Sequence, residues 1–172
     1  MSGPGQEIVM DFTDLITSVS GYRYLLAVVD TYTGWPEAYP CKRETAASVV
    51  KHLTNHYIPK HGFPPIIRTD NGTHFKNEHL QTVEKHLGLR HKFGAVYHPQ
   101  SQGKVERMNR TRKEKLARIM ATLKLNWLQA LPLALMSVRM SVNRTTGFSP
   151  FELQAGRCFP GPTGPLQDKT GQ

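Results

Sequence analysis

Three acidic residues stand where the local pattern of the chain changes: Asp11 in MDFTDL, Asp70 in RTDNGTHF and Glu106 in HPQSQGKVERMNRT. Carboxylates brought together from distant positions repel one another, and burying them without compensation is prohibitive. A cation removes that objection. Ligands that are all carboxylate oxygens suit Mg²⁺ or Mn²⁺ rather than zinc. Two such ions about 3.5–4 Å apart can activate an attacking oxygen and stabilise a leaving one, which is the chemistry of phosphoryl transfer. Each acid alone has a plainer explanation. Asp70 before Asn71-Gly72 is ordinary turn chemistry, and Asp11 fits the polar side of an edge strand. The case for a shared site rests on the three together.

The charge around them is of the opposite sign. With 22 Lys and Arg against 13 Asp and Glu, the chain carries a formal charge of +9, which favours an anionic partner, nucleic acid before an acidic membrane. Seven basic residues, Lys104, Arg107, Arg110, Arg112, Lys113, Lys115 and Arg118, cluster beside only Glu106 and Glu114. The plain account of that cluster is a solvated helix face; the functional one is a phosphate-binding surface. No run approaches the ~20 apolar residues of a membrane span. Cys41 and Cys158 stand too far apart for a C-x-x-C pair, so neither a disulfide framework nor a cysteine zinc site is expected. His52 and His56 are spaced i, i+4 but lack the Glu of a zincin. The cysteine usage suits the reducing cell interior, and MSGPGQ lacks the features of a signal peptide.

At 172 residues the chain suits one domain. EIVMDFTDLI alternates as a half-buried strand, and GYRYLLAVVDTYTGWPEAYP supplies two more, with a turn at Thr33-Gly34, as an antiparallel meander. ETAASVVKHLTNHYIPKHG turns to helical spacing, ended by Pro59 and Gly62. PPIIRTD predicts a brief buried strand, KNEHLQTVEKHLGL a helix closed by Gly88, and RHKFGAV another strand. YHPQSQG reads as loop, followed by a long helix from about Gly103 to Leu123. NWLQALPLALMSVRMSV is an amphipathic helix with Pro132 in its first turns, and SPFELQAG a short capped helix. Alternation of this kind predicts an α/β fold on one mixed sheet. Such sheets bring distant residues together at strand ends; Asp70 falls at the end of its strand, and Asp11 within the first. Asp14 and Asp30 also lie near the sheet, and Asp30 suits the following turn. Glu114 suits a local salt bridge, Trp35 and Trp127 the core or an interface, and His74, His91 and His98 ordinary surface or loop positions. Residues 1–6 are expected to be a tag or flexible tail, 7–158 the domain, and 159–172, rich in Pro and Gly, a flexible tail.

These stretches resemble the catalytic cores of retroviral integrases. Asp11, Asp70 and Glu106 match the family's DDE triad, and the 35 residues between Asp70 and Glu106 match its spacing. GYRYLLAVVDTYTGWPEAYP and LPLAL…NRTTGFSPFEL are most similar to gammaretroviral and related endogenous or LTR-retrotransposon enzymes, over about residues 7–158. The resemblance implies a ribonuclease H-like fold, a five-stranded mixed sheet flanked by helices. It implies two Mg²⁺ or Mn²⁺ ions held by Asp11, Asp70 and Glu106, and DNA 3′-end processing and strand transfer. Arg110 and Lys113 would contact donor-DNA phosphates. Tyr97, Gln100 and Gln102, in a loop freed by Gly103, would meet the DNA end. Thr73 would face target DNA, with a helix N-cap as its plainer role. A homodimer of cores is implied, through helices such as WLQALPLALMSV, as is a nuclear setting with a cytoplasmic or virion stage if viral. The zinc-binding module and small β-barrel of a complete integrase are not in this sequence, so the chain is expected to be the core alone. A host-domesticated core acting as a nucleic-acid-binding or protein-interaction module without integration activity stays open at this point. A nuclease on the same fold fits NGTHF and the 35-residue interval less well.

Overall fold

The computed structural model describes residues 3–94, 99–157 and 160, with side chains in 99–109 left undescribed. Five strands form one mixed sheet in the order β3-β2-β1-β4-β5. β1 (Glu7–Val19), β2 (Tyr22–Asp30) and β3 (Pro36–Cys41) make the antiparallel meander, while β4 (Ile66–Thr69) and β5 (Arg90–Phe93) add in parallel on the far side of β1. Helix α1 (Ala46–His52), α2 (Ile58–His61) and α3 (Glu78–Leu87) follow β3 and β4; α4 (Pro99–Leu123), α5 (Trp127–Met140) and α6 (Pro150–Ala155) follow β5. This is the ribonuclease H-like arrangement that the sequence implied.

The pleat divides the sheet's side chains between two cores. Ile8 and Met10 of β1, Leu26 and Val28 of β2 and Ile67 of β4 pack under Val49, Leu53, Tyr57, Phe75 and Leu80. On the opposite face Leu25 packs with Leu116 of α4 and with Trp127, Ala130, Leu131, Ala134 and Leu135 of α5. Trp127 also donates its indole N–H to the Thr17 carbonyl at 2.9 Å, tying α5 to the end of β1.

Helix ends follow the local chemistry. Asn77 caps α3, Asn126 and Ser149 build capping boxes on α5 and α6, and Gly88 closes α3 with φ +73°. Two expectations need correction. Pro59 does not end the first helical stretch: the backbone stays helical from Ala46 to His61, with a π-helical turn, Leu53–Tyr57, between α1 and α2, and Pro59 follows that wider turn, with Gly62 closing the stretch. Residues 99–103, expected as loop, begin α4 instead, with Pro99 at the first helical position. Tyr97 and His98 lie outside the described residues, as do Ala95 and Val96 of the expected strand. Gln100, Gln102 and Glu106 are on α4, and their side chains lie outside the description.

Asp14 and Asp30 have structural partners. Asp14 takes two hydrogen bonds from Arg23, 2.8 and 2.9 Å. Asp30 accepts the amides of Tyr32 and Thr33 in the turn and that of Gly5. Cys41 is buried outside any disulfide, its thiol donating to the Tyr39 carbonyl at 3.3 Å, whereas Cys158 lies outside the described residues. His52 and His56 stack on each other and on Tyr39. Among the described residues no helix is long and apolar enough to cross a membrane.

Candidate active site between β1 and β4

The parallel pairs Ile8–Ile67 and Val9–Arg68 align β1 with β4. Continued two residues further, that register sets Asp11 beside Asp70, just past the last residue of β4. Ile8, Met10 and Ile67 point into the first core, so Asp11 and Asp70 fall on the opposite face by alternation. That face carries α4, the helix on which Glu106 lies. Two carboxylates from distant stretches thus share one face, Asp11 within β1 and Asp70 just past the end of β4, at the point where the sheet changes from antiparallel to parallel pairing.

The Asp70 carboxylate is oriented by its own turn. Its Oδ1 accepts the Gly72 amide at 2.7 Å, and Phe75 and Lys76 both donate backbone N–H groups to the Gly72 carbonyl. Gly72 is confined: a Cβ there would lie 2.9 Å from Asp70 Oδ1 and 2.8 Å from His74 Cε1. His74 is half-buried, edge-on to Phe12 and Phe75, rather than loose on the surface. Thr73 is exposed in this turn, and the cap of α3 is Asn77, so the capping role considered for Thr73 does not hold.

Arg112 was counted with the solvated basic face, but it points inward. Its guanidinium lies 3.9 Å from Asp11 Oδ1, with the side chains 14% and 32% exposed. Burial lowers the Arg112 pKa, and the Asp11 charge opposes that shift. Its spacing of four residues from Leu116 put it on the buried stripe of α4, a signal legible in the sequence. Lys115 also leaves the basic face, donating to Ser137 of α5 and to Ser141, which caps that helix, at 3.1 Å each. Arg110 and Lys113 are exposed, as is Glu114.

His91 is the other surprise. Expected as an ordinary surface or loop residue, its side chain is 5% exposed and paired with Glu84, which is 3% exposed. Its alternation with Phe93 in RHKF was the available clue, and the two rings stack 4.0 Å apart. Among the described residues no group of three His, Cys, Asp or Glu could by itself hold a metal ion. The arrangement therefore supplies two of the three expected acids by register, and the backbone of the third on the adjoining helix.

The family described as integrase core domain matches residues 2–99. The chain belongs to the integrase core family. This integrase core is 44% identical over 155 residues to the Gag-Pol polyprotein of avian reticuloendotheliosis virus, covering 90% of the chain and 13% of that protein. It is likewise 44% identical over 154 residues to the Pol polyprotein of radiation murine leukemia virus (strain Kaplan), covering 89% of the chain and 26% of that protein. The chain thus spans a small part of the polyproteins it matches. Among solved structures, the core resembles a chain of the simian T-cell lymphotropic virus intasome in complex with PP2A regulatory subunit B56 gamma. That match has a TM-score of 0.76 and 27% identity, over 97% of this chain and 59% of that one. The catalytic core domain of BIV integrase matches with a TM-score of 0.71 and 28% identity, over 86% of this chain and 92% of that one. The HTLV-2 integrase catalytic core domain, solved in complex with magnesium, shares the fold at a TM-score of 0.72 and 23% identity, over 88% of this chain and 97% of that one.

Proposed function

We propose that this integrase core is the catalytic part of a metal-dependent polynucleotidyl transferase that trims a DNA 3′ end and joins it to target DNA. The observation that carries this reading is the register that sets Asp11 beside Asp70 on the face covered by α4. The donor set fits a hard divalent cation: carboxylate oxygens, Asp70 exposed and Asp11 partly so, with a guanidinium already drawn to Asp11. Asp11, Asp70 and Glu106 would hold two Mg²⁺ or Mn²⁺ ions. When bound, these would supply activation of the attacking oxygen and stabilisation of the leaving one.

The remaining work belongs to the chain. The Gly72 amide fixes the direction of the Asp70 carboxylate. Exposed Arg110 and Lys113, one helical turn apart, offer cationic contacts to successive phosphates of a donor strand. Gln100 and Gln102 on the first turns of α4, and Tyr97 just before it, are assigned to the DNA end, and exposed Thr73 to target DNA. Holding both reactants in line supplies much of the acceleration in reactions of this type. We place the working protein in the nucleus, where target DNA lies, as a homodimer that uses the exposed Leu133, Met136 and Met140 side of α5.

The test is disintegration of a branched DNA in the presence of Mn²⁺, with Glu106→Gln as control. Cleavage and joining by the parent, abolished in the variant, support the assignment. An inactive parent that still binds DNA overturns it in favour of a binding module. DNA affinity should also fall steeply with salt, because phosphate contacts release counterions.

A further inference from the structure

A buried chain of polar groups runs from α3 to the residue before Asp70. The Glu84 carboxylate hydrogen-bonds His91 Nδ1; His91 Nε2 lies 2.7 Å from Thr69 Oγ1; and the Thr69 hydroxyl donates to the Asp70 carbonyl at 3.0 Å. All three side chains are buried, with Thr69 5% and Glu84 2% exposed as residues. The His91 ring is clamped against Phe93, 9° from parallel, with Phe75 on its edge. His91 Nδ1 faces Glu84 and Nε2 faces Thr69, so the ring joins the other two side chains.

A hydroxyl, an imidazole and a carboxylate in series also match the order of an acyl-transfer triad. Burial argues against that here. Thr69 is closed off from solvent, and its hydroxyl is already committed to a backbone carbonyl. Its position suggests a different use. Thr69 is the last residue of β4, beyond which the ladder no longer constrains the backbone, and Asp70 comes next. The chain therefore fixes the carbonyl of Asp70 from behind, while the Gly72 amide fixes its carboxylate from in front.

We propose that Glu84, His91 and Thr69 are positioning residues for Asp70: they clamp the end of β4 so that Asp70 keeps the place beside Asp11 that the strand register gives it when a divalent cation binds. This rests on the reading of Asp70 as a metal ligand. Hydrogen-bond partners behind a ligand typically contribute 10- to 100-fold to metal affinity.

Mn²⁺ affinity measured by calorimetry on the protein without DNA reads this out apart from turnover. Thr69→Val keeps the side chain's shape but removes the hydroxyl, and weakens Mn²⁺ binding about tenfold. Thr69→Ser restores the hydroxyl and returns the affinity to within about twofold of the parent, a rescue that a purely structural role would not produce. His91→Gln is the second variant if circular dichroism shows that Thr69→Val does not fold; it too should weaken Mn²⁺ binding. Asp70→Asn separates the two layers of the argument. If it leaves Mn²⁺ affinity unchanged, the ligand assignment fails. If it abolishes binding while Thr69→Val and His91→Gln, both folded, bind as the parent does, the ligand assignment stands and the positioning proposal is overturned.

Discussion

Glu37 offers a prediction whose size follows from the structure. Its side chain is 7% exposed and receives four donors: Trp35 Nε1 at 3.0 Å, His61 Nε2 at 2.7 Å, Lys60 Nζ at 3.0 Å and Arg139 at 2.7 Å. Arg139 also donates to the Pro36 carbonyl and lies over the Trp35 ring, so one carboxylate joins β3, α2 and α5. Burial alone would raise the Glu37 pKa. The bonds from His61 and Trp35, the Arg139 charge and the Lys60 bond outweigh it and bring the group down from 4.5 to about 2. At ~1.4 kcal/mol per unit this is on the order of 3 kcal/mol of stability. The share from Lys60, 54% exposed, is the part most reduced by solvent screening. A depressed carboxylate stabilises the fold above its unfolded pKa, so this contribution is whole above pH 4.5 and is lost as pH falls toward 2. Glu37→Gln leaves Arg139 without its countercharge and should cost about 3 kcal/mol, near the low end for breaking a buried pair. For a domain of this size that is a fall of about 10 °C in Tm. Urea unfolding at pH 7 and pH 3 measures both effects. A loss at pH 7 below about 1 kcal/mol, against the ~3 expected for the pair, or equal losses at the two pH values, would refute the reasoning.

His52 acts in a higher window. Burial, with the His56 and Lys51 charges, lowers its pKa to about 4, so stability should decline as pH drops from 6.5 toward 4, and His52→Gln should flatten that part of the Tm profile. Arg112→Leu removes a cation 3.9 Å from Asp11, a pair worth between about 1 and 4 kcal/mol depending on the local dielectric. Mn²⁺ affinity measured by calorimetry should tighten several-fold, and unchanged or weaker binding would count against competition between guanidinium and ion. Gly72→Ala places a methyl group 2.9 Å from Asp70 Oδ1 and against the His74 ring. Disintegration activity should drop at least tenfold, because the methyl group displaces the carboxylate that the Gly72 amide orients, and an unchanged rate would count against that role.

Much of this molecule was legible beforehand because its signals are periodic or local. Alternation marked β1 with Ile8 and Met10 facing inward, and Gly88 and Ser149 announced helix boundaries. Asp11 and Asp70 stood out through their place in the pattern and their match to a known triad. What stayed hidden depended on tertiary partners. The spacing of Arg112 from Leu116 marks it as buried on α4, but nothing in the sequence names Asp11 as its partner. Glu84 reads as one more charge on a polar helix until His91 arrives from β5. Pro59 and Pro99 were read as breakers because both interrupt an N–H ladder, yet Pro99 opens α4, where the missing donor costs nothing, and the helix runs past Pro59 after a π-helical turn.

A clasp between two helices holds the C-terminal half of α4: Lys115 donates to Ser137, and Leu116, Ile119 and Met120 pack with Trp127, Ala130 and Leu131 of α5. Glu106 lies ten residues before Leu116, about 15 Å along the same axis at 1.5 Å per residue. On the reading of Glu106 as a ligand, a shift of α4 by on the order of 1 Å would cost about a hundredfold in rate, so Ala130→Gly in the clasp should lower disintegration activity from far outside any ligand's reach.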